Sequence, residues 1–290
     1  MHLLTSVVGV VLVAAILWEV FADLFHPGDR AALSDWVGRG LFRSLRQAGP
    51  LFQLAGPLVL LVLIATWVIG LIIGFSLIYV GSFPVQFRTS TAAVPSAVQP
   101  LLSTLHFSFE TLITLGYGDL IPRSFPMRLL SDVEALIGFG LLTASMTEIV
   151  LLYPALSRMR LLARSVAHLV EAERRMGLQV PRSGTAAMLE KLARDVTRAR
   201  TDLVHFPIVY YFVTGDADAS VARWTHQLCR FAHDGLADGA PEPIRLAAAA
   251  LDASLTDLAR VLAVRCVPAR PANRDAVFEA FASDHGIGRA

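Results

Sequence analysis

The hexapeptide Thr114-Leu115-Gly116-Tyr117-Gly118-Asp119 decides how this chain is read. It follows Ser108-Phe109-Glu110-Thr111-Leu112-Ile113 and runs on into Leu120-Ile121-Pro122. Two glycines flank one tyrosine in a segment between two long apolar runs. An all-L strand alternates its carbonyls, so aiming successive carbonyls at one side needs residues that reach left-handed φ. Gly116 and Gly118 supply that freedom. Thr114 adds a hydroxyl at one end, while the side chains of Leu115 and Tyr117 point away and brace the loop from behind.

Working outward, the chain has 290 residues, 17% of them charged, below the soluble norm of about 25%. Its mean hydropathy is +0.56. Only Arg88 interrupts the uncharged stretch between Arg46 and Glu110. This is the charge distribution of a membrane protein. Net charge is +1, which leaves no electrostatic footprint for nucleic acid, and no nucleic-acid partner is expected. Lys191 is the only lysine among 25 basic residues; with the alanine richness, that usage points to a high-GC bacterium. Cys229 and Cys266 have neither disulfide-framework nor zinc spacing and read as reduced, buried thiols.

Leu3 to Phe25 is the first apolar run. It has no positive n-region and no small-residue cleavage pattern, so a retained transmembrane helix is expected rather than a signal peptide. Glu19 and Asp23, one turn apart near its end, read as interfacial carboxylates. His26-Pro27-Gly28 stops the helix. Residues 31 to 46 are amphipathic, with Leu33, Trp36, Val37, Leu41 and Leu45 on one face and Arg39, Arg43 and Arg46 on the other. Such a helix is expected to lie in the membrane interface. Leu58 to Val80 is uncharged and long enough to span; Tyr79 and Phe83 suit its outer aromatic belt, and Gly70 and Gly74 form a small-xxx-small pair. Leu101 to Ile113 is a helix too short to cross, opened by Pro100. A short helix followed by non-helical backbone at membrane depth is a re-entrant loop, tolerated only where it lines water or is buried in protein. Leu129 to Tyr153 is the last span, with Pro154 marking its end or a kink.

The arginines give direction. Arg30, Arg39, Arg43 and Arg46 precede the second span, and Arg158, Arg160, Arg164, Arg174 and Arg175 follow the third. Both clusters are expected on the cytoplasmic side of the cell membrane, with the N-terminus outside and the C-terminus inside. From Ala155 the chain becomes charged and helical in period, over roughly 156–178, 185–202, 218–235, 242–265 and 272–282. The breaks between them are Pro181-Arg182-Ser183-Gly184, Gly215-Asp216, Gly239-Ala240-Pro241 and Pro268 to Pro271. The expected fold class is an all-α membrane protein: three transmembrane helices plus a re-entrant pore helix and filter, then a helical cytosolic domain. The expected divisions are 1–25 (first span), 26–56 (linker helix), 57–154 (pore domain) and 155–290 (tail).

Thr114-Leu115-Gly116-Tyr117-Gly118-Asp119 after a short helix and between two spans closely resembles the selectivity filter of the two-transmembrane potassium channel family, over about Gly56 to Pro154. The resemblance implies a passively conducting, potassium-selective channel, not an enzyme, with K+ as the permeating ion. The carbonyls of Thr114, Leu115, Gly116, Tyr117 and Gly118 would replace the ion's water. One pore loop per chain then requires a homotetramer in the lipid bilayer. The family usually has valine at Leu115, a side chain turned away from the ion. Glu110 matches the pore-helix glutamate of the bacterial proton-gated member, which pairs with the aspartate after the filter, here Asp119. Two such carboxylates would share a proton, or Glu110 would cap filter amides; both can hold. His106 stands where that member has a tryptophan, and a structural histidine is the plainer reading.

Phe139, Leu142, Met146 and Val150 share one face of the last span, which the resemblance places on the cavity and lower gate. Gly138 matches the family's hinge glycine; close helix packing is the alternative. Glu134 is expected to hydrogen-bond behind the pore helix, and Glu148 to be hydrated or paired with an arginine such as Arg158. No span carries the repeated arginines of a voltage sensor. The tail reads as a tetramerisation domain or as a site for an unknown ligand or protein. An enzyme would have to rest on His205, His226, His233 and Asp234, which lack metal spacing. A non-selective cation channel and a non-conducting scaffold or sensor with a vestigial pore loop are the competing functions. Tyr117 and both glycines argue against the scaffold, and Tyr117, which non-selective relatives of the family tend to lose, argues against the non-selective channel.

Overall fold

The computed structural model describes residues 2–25, 32–89, 100–180, 186–265 and 273–287. Arg30, Cys266 and the breaks 26–28, 181–184 and 268–271 lie outside the described residues. Helices α1 (His2–Phe25), α2 (Ala32–Arg46), α3 (Ala55–Val80), α4 (Pro100–Leu112) and α5 (Phe125–Met176) are followed by α6 (Ala186–His205), α7 (Val221–Gly235), α8 (Glu242–Arg265) and α9 (Arg274–Asp284). Three of them hold windows long and apolar enough to cross a membrane: Leu3–Asp23, Leu51–Val80 and Phe125–Met176. The chain is an all-α membrane protein, as its apolar periodicity requires.

Two compact units are present, Met1–Val37 with Leu61–Val150 and Gly38–Leu60 with Leu151–Ala290. In the first, α1 packs on α3 through glycines. A Cβ on Gly9 would lie 2.5 Å from the Gly74 carbonyl, one on Gly74 2.7 Å from Val13, and one on Gly70 2.8 Å from Ile16. Gly70 and Gly74 are thus the helix-packing face their spacing suggests, and Gly9 answers them from α1. Close backbone approach of this kind is how helices associate where no water drives them together. Glu19 Oε1 accepts from the Leu33 amide at 2.9 Å.

Two three-residue strands, unsignalled by the sequence, frame the loop that follows α3. β1 (Phe87–Thr89) pairs antiparallel with β2 (Leu120–Pro122), matching Phe87 with Pro122 and Thr89 with Leu120. The Arg123 amide donates to the Gln86 carbonyl at 2.8 Å, and Ser124 Oγ to Gln86 Oε1 at 2.6 Å.

The second unit is a helical domain. Leu251, Leu255, Leu258 and Leu262 of α8 are fully buried, at spacings of three and four. They face α6, whose Leu189, Leu192, Val196 and Leu203 follow the same rhythm, so the two helices pack along their apolar stripes. Asn273 caps α9, its side chain accepting from the Ala276 amide at 2.9 Å. Unpredicted 3₁₀ turns at Gly49–Leu54, Pro207–Tyr211 and Ala217–Ala219 join the helices.

Four expectations are corrected. The helix of the last span does not stop at Pro154, one of the two readings of that proline, because α5 continues through it to Met176. Its neighbours Leu152 and Ala155 are buried in the domain core, and that packing offsets the lost hydrogen bond. Secondly, the apolar face of α2 is covered by protein over 41–45 rather than by lipid. Phe42, absent from the expected face, is buried against Phe52, Tyr210, Tyr211 and the His285 ring, while Leu41 and Leu45 pack on the same core. Arg46 binds Asp284 at 2.9 Å and Ser283 Oγ at 3.1 Å. Thirdly, Tyr79 is not a belt residue but is fully buried among Phe75, Phe87 and Phe107. Fourthly, Arg158 is bidentate on Asp202, at 2.6 and 2.9 Å, rather than on Glu148.

Replacing Gly9 with valine should destabilise the detergent-solubilised protein by about 1–3 kcal/mol, the usual range for overpacking, and lower its melting temperature. Alanine at Gly40, where an added Cβ meets nothing within 4 Å, should not. Cys229 is half-buried, and burial pushes its thiol from 9.0 up to about 11. Since the thiolate is the nucleophile, a C266S protein should react with maleimide at pH 8 about a hundredfold more slowly than an ordinary cysteine. The rate should climb about tenfold per pH unit up to pH 11.

Candidate ion pathway

The hexapeptide sits between the end of α4 and β2, and its backbone alternates. Thr114 has φ +58°, Gly116 +59° and Gly118 +78°. Leu115 and Tyr117, between them, do not share this conformation. Positive φ at every second residue can turn successive carbonyls towards the same side, which a regular strand cannot do. The glycines adopt this conformation freely. Thr114 does not, since a left-handed L-residue costs roughly 1–2 kcal/mol, so its neighbours must hold it there.

Glu110 does most of that holding. Its backbone carbonyl accepts from the amides of Leu115 at 2.7 Å and Gly116 at 3.4 Å. Its carboxylate accepts from the Tyr117 amide. The Thr114 amide goes to the Thr111 carbonyl at 3.0 Å. Four successive amides are therefore drawn back onto the last turn of α4. The Glu110 side chain is buried, and its Oε2 has no hydrogen-bond partner among the described residues. Asp119 and His106 both act on it electrostatically. The His106 ring lies nearly parallel to that of Tyr117, 14° between planes and 6.3 Å between centroids. The cap on the filter amides, read from sequence as one of two roles for Glu110, is present.

Behind the hexapeptide, α5 supplies a buried face. Glu134, fully buried, accepts from Tyr79 Oη of α3 at 2.7 Å and from Ser108 Oγ of α4 at 2.5 Å. This is the hydrogen bonding behind the pore helix that Glu134 is expected to make. Gly138 lies against the end of α4, where a Cβ would come within 1.9 Å of the Leu112 carbonyl. Close packing therefore requires glycine at 138, whereas a Cβ at Gly140 would meet open space. On the other side of α5, Phe139, Leu142, Met146 and Val150 are each more than 60% exposed on the single chain. Leu115 and Tyr117 are likewise 48% and 67% exposed. Among the described residues, these side chains of the hexapeptide and of one apolar face of α5 are left largely uncovered.

The sequence reading missed Ser108, Tyr79 and the left-handed Thr114. The signal for Ser108 was there: Ser103, Thr104 and Ser108 are hydroxyl side chains in a short helix between two apolar spans, and all three are buried.

Residues 58–153 match the model of a family described as ion channel. Over 137 residues the chain is 28% identical to a protein of Bacillus subtilis (strain 168) named uncharacterized membrane protein YdjJ. That stretch is 47% of this chain and 39% of the relative, so the chain spans well under half of the relative's length. No solved structure matches the chain. The matched segment, a third of the chain, contains α4, the hexapeptide and the apolar part of α5, so it is this part of the chain that is similar to an ion channel, within a protein that has three helices long and apolar enough to cross a membrane.

Replacing Glu110 with alanine leaves the Tyr117 amide without its acceptor. Amide exchange over 114–118, read by mass spectrometry on purified protein, should quicken at least about tenfold, the equivalent of one buried hydrogen bond. Glutamine keeps an acceptor oxygen and should stay near the parent rate.

Proposed function

We propose that four copies of this chain assemble around one axis in the cell membrane as a potassium-selective channel. The carbonyls of Thr114 to Gly118 would stand in for the water of a permeating K+. The observation that carries this reading is the alternation of left-handed residues at 114, 116 and 118 with their amides drawn back to Glu110 and Thr111. A cation shedding water needs several converging oxygens along one line, and this backbone is arranged to offer them. One chain offers only one wall. The exposed faces of Leu115, Tyr117, Phe139, Leu142, Met146 and Val150 are what a fourfold ring would cover or wet.

The remaining parts follow from that arrangement. Phe139, Leu142, Met146 and Val150 would line the cavity and the lower gate, where apolar side chains close a pore by excluding water. Gly138 would serve as a hinge as well as a packing glycine. The C-terminal end of α4 directs its partial negative charge towards a cation below the filter. The arginine clusters support an outside N-terminus and a cytoplasmic tail.

The test is a reversal potential. Reconstituted protein under opposed potassium and sodium gradients should reverse near the potassium equilibrium potential and be blocked by barium. Equal sodium and potassium permeability would sink the selectivity. Gly116→Ala should abolish the current while leaving the assembly intact in detergent, because a Cβ strains the left-handed position; a persisting current would show that the ion path lies elsewhere.

A further inference from the structure

Inner helix α5 meets pore helix α4 at two successive rungs. In the first, the Glu134 carboxylate takes the Ser108 hydroxyl at 2.5 Å. In the second, one helical turn further along both chains, the missing side chain of Gly138 admits the Leu112 carbonyl. Ser108 and Leu112 are four residues apart on α4, and Glu134 and Gly138 four apart on α5, so the helices run in the same direction and in step. A residue i and its i+4 lie on one helix face, which makes this a ladder rather than two separate contacts.

The first rung also reaches a third helix. The other Glu134 oxygen takes the Tyr79 hydroxyl of α3 at 2.7 Å, and Ser108 Oγ lies 3.1 Å from the Ile72 carbonyl of the same helix. Tyr79, Ser108 and Glu134 are all fully buried. Apolar side chains alone would let three helices slide over one another at little cost, since lipid and leucine are equally apolar. A hydrogen-bonded carboxylate cannot slide, because a shift of one turn would leave two hydroxyls and a carboxyl without partners in an apolar setting.

We infer that Glu134 is a positioning residue for ion selection: it fixes the register of α5 on α4, and the glycine rung transmits that register to the start of the filter. Leu112 is two residues before Thr114, the left-handed residue that must be held in place. A change in the step between α4 and α5 would drive a side chain of α5 into the Leu112 carbonyl and release Thr114. This inference rests on the channel reading.

The experiment uses full-length protein reconstituted in planar bilayers, with tetramer assembly and melting temperature followed in parallel. Glu134→Gln keeps one acceptor and offers an N–H to Ser108 Oγ, which can then donate to the Ile72 carbonyl; it should retain the parent permeability ratio. Glu134→Leu removes both hydrogen bonds at similar volume. It should still assemble, yet lose about tenfold in the potassium-to-sodium permeability ratio, the equivalent of one buried hydrogen bond. Tyr79→Phe and Ser108→Ala should each lose part of it. Parent selectivity in an assembled Glu134→Leu protein overturns the inference, and so does a Gln variant as impaired as the Leu variant. If Glu134→Leu does not assemble, unchanged permeation in both Tyr79→Phe and Ser108→Ala overturns it instead. A parent protein that passes no potassium refutes the channel reading. The register role is then judged by a melting cycle on Ser108→Ala and Glu134→Leu, each of which removes the contact, where strict additivity overturns it and coupling upholds it.

Discussion

Non-helical backbone at membrane depth must find a partner for every amide it exposes. That constraint governs the region around the hexapeptide. Four consecutive amides, from Thr114 to Tyr117, turn back to the final turn of α4, and three of them end on Glu110. With those donors satisfied within the chain, the left-handed backbone of the hexapeptide needs no partner from outside for these amides.

Much of the surrounding structure serves to hold α4 where it can do this. The two rungs to α5 fix it from behind. Ser76 Oγ and Thr104 Oγ1 lie 2.9 Å apart, joining the other half of α4 to α3. Phe107 packs edge-on against Tyr79 and Phe87, so an aromatic wedge fills the space between α3, α4 and β1. The glycines of α1 and α3 then bring an additional helix against the same frame. Polar contacts set position here, and apolar ones fill volume.

The sequence made some of this legible and hid the rest for physical reasons. Spans declare themselves by length and lack of charge, so α1, α3 and the first part of α5 were readable. The left-handed backbone at Gly116 and Gly118 was readable because glycine at alternate positions between two spans has little use except to admit it. Pro154 misled because proline breaks a helix only when nothing else holds it; Leu152 and Ala155, buried in the domain core, do. The face of α2 misled because Leu41 and Leu45 look the same whether lipid or protein covers them. Tyr79 misled similarly, since a tyrosine near a helix end suits an interface, and only its partner Glu134, fifty-five residues away, shows otherwise. Thr114 was opaque because no local rule puts a β-branched residue at positive φ. Its conformation is imposed by Glu110 and Thr111.

The pairing of β1 with β2 has one more consequence. Thr89 and Leu120 are partners across that short ladder, so it closes into a loop the stretch of chain that contains α4 and the hexapeptide. The loop is therefore anchored twice over, by the ladder at its ends and by the contacts of α4 with α3 and α5 within it. Loosening one anchor leaves the other to hold the hexapeptide in place.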